Sequence, residues 1–230
     1  MNLRPLDTST TDDLTHLHTA LFARIQKHTM QLQAVPNSES VAGWRKNGTQ
    51  AFAYLRPNEE ARTIESMMGR DLPIRQLDVR RHPVIELRAT CSGAVLELVV
   101  PPDAWWDQQN LAGKLSIPRQ RSAFQALLAR LDERYRLGFW QGTHLDTMHL
   151  TAHEASHPAV FNAWMTTFCD GQDWFRIGVW YDAAALSKPD MSNDLFQRAQ
   201  TLYELYQFIA WTGNNDFRSF YRRVGAPAYA

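Results

Sequence analysis

A displacement of forty positions brings two stretches of this chain into register without a gap, and that repeat constrains the fold more than any other feature. Ser116 meets Ser156, Pro118 meets Pro158, Ala123 meets Ala163 and Phe124 meets Trp164. Tyr135-Arg136-Leu137-Gly138-Phe139-Trp140 then meets Phe175-Arg176-Ile177-Gly178-Val179-Trp180, each pair keeping its chemical class. Alternation within each run marks a strand, and the spacing of Phe124, Leu127, Leu128 and Leu131 marks a helix over 119–131. A duplicated helix–strand unit accounts for the match better than chance likeness between two aromatic-rich strands.

Around the repeat, Val84 to Thr90 and Ala94 to Val100 alternate about Cys91-Ser92-Gly93 and predict a hairpin. A strand over 147–153 and a helix over 159–168 complete a β-α-β-β-α-β order from Ala94 to Tyr181. That is the ferredoxin-like order, an antiparallel sheet with helices on one face. Here it gains an extra N-terminal hairpin strand and flanking N- and C-terminal helices. Leu14, Leu17, Leu21, Ile25, His28 and Leu32 recur at helical steps and predict a helix over 11–33. A loop over 34–49, a short strand over 51–55 and a helix over 59–68 ending at Gly69 follow. The helix over 194–211, opened by Ser192 and closed by Gly213, is apolar nearly all round and should be buried. The expected organisation is one α+β domain: a helical part over 1–82, the duplicated core over 83–181, and a C-terminal helix and tail over 182–230.

Composition excludes several classes. Lys plus Arg and Asp plus Glu number 24 each, so no global charge draws the chain to nucleic acid or anionic lipid. Cys91 and Cys169 are too few for a disulfide framework or a thiolate metal site. The start has no apolar signal core and no stretch approaches a membrane span, so the expectation is a cytoplasmic protein.

Strand parity places the candidate functional residues. Tyr135, Leu137, Phe139, Phe175, Ile177 and Val179 should face the helices, leaving Arg136, Trp140, Arg176 and Trp180 on the other side. Glu86, Arg88 and Glu97 share that side by parity, and His149, Thr151 and His153 join them if 147–153 is a strand. Paired tryptophans beside Gly138 and Gly178, which let something approach the backbone, suggest a ligand surface. The plainer readings are a solvated sheet face or a buried hydrogen-bonded network under a terminal helix. A second candidate is the aromatic connection 101–114, read as a loop, with Trp105, Trp106, Asp107 and Asn110.

His153-Glu154-Ala155-Ser156-His157 fits HExxH and so resembles the zincin metalloproteases, in which that spacing on a continuous helix holds zinc and a general base. Pro158 follows at once, and the repeat places a helix start after Ser156, where Ser116 and Ser156 serve as N-caps. The motif is therefore set aside. The expected function is binding of a ligand, a protein or single-stranded nucleic acid through the sheet face and the 101–114 loop. Trp140 and Trp180 would stack on bases while Arg136 and Arg176 meet phosphates. The alternative is a metal-dependent hydrolase or nuclease holding a divalent ion through His149, His153 and Glu97. A homodimer joined through the aromatic surface is a third possibility.

Overall fold

The computed structural model describes residues 8–43, 50–68 and 77–219. In chain order the elements are α1 (Thr8–Lys27), β1 (Gln33–Glu39), β2 (Gln50–Leu55), α2 (Asn58–Met67), a 3-10 turn (Val79–Arg81), β3 (Val84–Thr90) and β4 (Gly93–Val100). There follow α3 (Trp105–Ser116), α4 (Pro118–Leu128), β5 (Tyr135–Phe139), β6 (Leu150–Thr151), α5 (Ala152–Ser156), α6 (Pro158–Met165), β7 (Phe175–Asp182), α7 (Ala183–Leu186) and α8 (Met191–Ile209).

The strands form one sheet in the order β1-β2-β3-β4-β7-β5-β6, with every neighbouring pair antiparallel. The architecture is α+β, but the strand order is not the ferredoxin-like one. That order would set β6 between β4 and β5; here β7 stands between them, and β6 is a two-residue edge. The reason is local. Thr151 accepts a hydrogen bond from the Glu154 amide, and the Glu154 carboxylate accepts from the Thr151 amide, forming a capping box that turns the chain into α5. The expected strand over 147–153 is thereby cut short.

Helices α1 and α8 pack on one face of the sheet. Leu14, Leu17, Leu21 and Ile25 of α1 and Leu195, Ala199, Leu202 and Ile209 of α8 are buried with Ile85, Leu87, Leu96, Leu98, Leu137, Phe175, Ile177 and Val179 of the sheet. Leu137, Phe175, Ile177 and Val179 are among the residues that parity assigned to the helical side. Phe124 of α4 sits at the centre of an aromatic group, with ring centroids 5.9, 6.2 and 5.0 Å from Phe161, Phe175 and Phe208. Contacts of this kind contribute about 0.5–1.5 kcal/mol each beyond their burial. No helix among the described residues is long and apolar enough to cross a membrane.

Four further sequence expectations change. Residues 33–39 form edge strand β1 rather than a loop. The connection 101–114 is mostly helix α3. Ser116 and Ser156 are not N-caps: each hydroxyl donates to the carbonyl three residues back, closing α3 and α5, and Ile117 and His157 precede the next helices. Helix α8 likewise starts after Asp190 and stops at Ala210, not at Ser192 and Gly213. The end of α2 expected at Gly69, and Tyr221, Arg222 and Arg223 of the tail, lie outside the described residues.

Candidate functional site

Parity sorted the polar strand residues onto one face correctly, and that face is closed. Glu86, Arg88, Glu97 and Arg176 are each 0% exposed and form a single ion cluster. Arg176 donates to Glu97 through Nε at 3.1 Å and Nη2 at 2.5 Å, while Arg88 Nη1 bridges Glu97 and Glu86, the latter at 2.6 Å. Two guanidiniums meet two carboxylates, so the cluster carries no net charge. Burial alone would push the Glu97 carboxyl up, but the Arg176 and Arg88 guanidiniums hold it below the usual carboxylate range.

Two loops cover the cluster, not a terminal helix. Ser40 Oγ donates to Glu86 at 2.8 Å, and the Val41 amide donates to the other oxygen of the same carboxylate. Arg176 donates to the Gly142 carbonyl at 2.6 Å and Arg88 to that of Thr143 at 3.3 Å. Trp140 completes the roof: it is 7% exposed, its ring lies 4.6 Å from the Arg176 guanidinium carbon, and its Nε1 donates to the His144 carbonyl. The two glycines make room for these internal groups. A Cβ at Gly138 would strike the Trp140 ring, and one at Gly178 would strike Glu97. What approaches the backbone there is the protein itself.

Arg176 and Trp140 are therefore structural, and the stacking surface with phosphate contacts does not form as expected. Trp180 is half-buried beside Trp140, centroids 6.0 Å apart, and half-buried Arg136 donates to the carbonyls of Glu133 and Tyr135. The expected metal ligands are also dispersed. His149 lies on a turn, its Nδ1 2.6 Å from the Asp146 carbonyl, and His153 is exposed on α5. Glu97 spends both oxygens on the arginines. Among the described residues no group of three His, Cys, Asp or Glu is placed to hold a metal ion.

The second candidate divides in two. On α3 the residues at helical spacing 107, 108, 110, 111, 114 and 115 turn inward. Asp107 pairs with buried Arg56 and accepts from the Trp211 amide at 2.7 Å. Asn110 donates to the Ile209 carbonyl at 3.0 Å and accepts from the Phe217 amide at 2.8 Å. Lys114 reaches the Phe208 carbonyl at 2.6 Å. Asp107 and Asn110 hold the C-terminal segment rather than facing solvent.

Trp105, at the start of α3, points the other way and is 46% exposed. It borders an open hollow of about 520 Å³ with Met67 and Met68 at the end of α2, Arg81, Pro102, Asp103, Trp106 and Gly171. Trp106 stands edge-on to Trp105 at 5.1 Å and is wedged in place by Trp211 at 5.3 Å and the Arg218 guanidinium at 5.7 Å. Gly171 adopts a positive φ of 76°, and its amide donates to the buried Gln108 at 2.6 Å. Gln108 in turn donates to the Pro101 and Asp173 carbonyls at 2.9 and 2.8 Å, so one side chain fixes two walls of the hollow. Pro102 and Asp103 belong to the expected 101–114 connection; sequence reasoning missed Met67, Met68, Arg81 and Gly171, which come from segments that no local pattern connects.

Fold and site together define an α+β protein with a closed ionic sheet face and an open aromatic hollow beside α3. No family model matches the chain, and neither the curated proteins nor the solved structures contain a match.

Proposed function

We propose that this protein binds a small ligand carrying a planar apolar group, with Trp105 as the platform on which that group stacks. The observation that carries this reading is the exposure of Trp105 and Met67, at 46% and 59%, around a hollow whose other walls are held by buried polar groups. Exposed large apolar side chains collected around one concavity mark a binding surface more often than scattered ones do. The volume falls within the range of about 300–1,000 Å³ typical of small-molecule sites. The other aromatic and charged candidates support a ligand less well, because Arg176, Trp140, Asp107 and Asn110 are engaged within the fold.

Indole, a neutral planar probe, tests the reading by saturation-transfer NMR. Transfer to indole should be lost in Trp105→Ala and retained in Trp180→Ala, with unchanged far-UV circular dichroism in both. Equal transfer in Trp105→Ala and the unmodified protein would remove Trp105 as the platform.

A further inference from the structure

Among the described residues, the ionisable side chains lining the hollow are Arg81 and Asp103, one of each sign. Arg81 meets Asp78 through Nε at 3.5 Å and stands on the 3-10 turn, where the Asp78 side chain accepts from the Arg80 amide. Among the described residues no hydrogen bond uses Arg81 Nη1 or Nη2, so the outer edge of the guanidinium fork is open to a carboxylate. That fork presents two parallel donors, the geometry in which carboxylates are bound most strongly. Asp103 is exposed beside Trp105, and among the described residues its carboxylate makes no ion pair or hydrogen bond. An acceptor-only group at that position suits an ammonium donor.

Resting on the stacking role of Trp105, we infer that the hollow selects free aromatic α-amino acids. The ring lies on Trp105 against Met67, the carboxylate meets Arg81 and the ammonium meets Asp103. A ligand with only one of those charges would leave the other side chain unmatched and gain correspondingly less. The rule separates a free amino acid from a peptide terminus of the same side chain, because a terminal residue keeps only one of the two charges.

Isothermal titration at low ionic strength with L-phenylalanine, N-acetyl-L-phenylalanine and L-phenylalaninamide tests this on the full chain. Acetylation removes the ammonium and amidation removes the carboxylate. L-Phenylalanine should bind, and each capped form should bind about tenfold more weakly, the loss expected for one charge-assisted contact. Arg81→Ala should abolish the preference for L-phenylalanine over its amide, and Asp103→Asn the preference over its acetyl form. Both side chains are at the surface, so neither variant should disturb folding. Equal binding of all three compounds, lost in Trp105→Ala, would overturn the amino-acid assignment and leave the stacking platform standing. No binding of L-phenylalanine, with indole still contacting Trp105, would do the same. Selective binding of L-phenylalanine that survives Trp105→Ala would overturn both.

Discussion

At the scale of single residues, the sheet centre is governed by Glu97, which accepts from two arginines that are themselves sealed from water. Glu97→Gln removes the charge that neutralises them and leaves guanidiniums buried without compensation. Breaking such a buried pair costs about 3–5 kcal/mol, and a denaturant titration should show that loss. Trp105→Ala, which changes an exposed side chain, should stay within about 0.5 kcal/mol of the unmodified protein. A Glu97→Gln protein as stable as the Trp105 variant would show that the ion cluster does not organise the sheet. Alternation alone had already placed Glu86, Arg88, Glu97 and Arg176 on one side, because side-chain direction in a strand is a local property. It had no means of showing that Ser40, Val41, Gly142 and Thr143 would arrive from distant positions to cover them. The same limit applies to Gly138 and Gly178: sequence showed that something must come close, and only the fold showed that it was Trp140 and Glu97.

At the scale of elements, most pieces were legible in outline: α1, β2, α2, the β3–β4 hairpin, α4, β5, α6, β7 and α8. The two strands of similar sequence are adjacent in the sheet, β5 lying antiparallel to β7 with Leu137 opposite Ile177 and each arginine opposite the other strand's glycine. Helix α3 was read as a loop for a definite reason. Pro101 and Pro102 end the strand before it, and its inward face carries Asp107, Gln108, Asn110 and Lys114, residues that usually mark a surface. They are buried because each answers a backbone group of another segment, which makes α3 the anchor of the C-terminal stretch. Asn110→Ala removes partners from both Ile209 and Phe217 and should cost about 1–3 kcal/mol. The larger sign should be local: limited proteolysis should cut the stretch 211–219 sooner than in the unmodified protein, before the core is attacked. Cleavage there at an unchanged rate would mean that Asn110 does not hold the segment.

At the scale of the whole molecule, the buried titratable groups set how stability responds to acid. His82 is fully buried, its Nε2 3.3 Å from the Glu65 carboxylate, yet burial, with Arg56 and Arg81 nearby, lowers its pKa from 6.5 to about 3. The folded protein therefore keeps His82 neutral where the unfolded chain takes up a proton. Its contribution is whole above pH 6.5 and is lost as pH falls from there toward about 3, with a slope approaching about 1.4 kcal/mol per pH unit. His18, stacked on Phe52 with centroids 3.9 Å apart, is lowered by burial and acts with the same sign. Asp107 opposes them, since burial raises its pKa despite Arg56, and the folded state then holds the proton longer than the unfolded one. The net acid limb is a difference of these contributions, so the informative measurement is a comparison. His82→Gln keeps a neutral polar side chain that does not titrate and loses some stability at neutral pH through its altered contact with Glu65. Between pH 6.5 and 4, its denaturation free energy should nevertheless fall less steeply than that of the unmodified protein. Parallel slopes would mean that His82 is protonated in the folded state across that interval, and that the Glu65 carboxylate outweighs the burial and the two arginines.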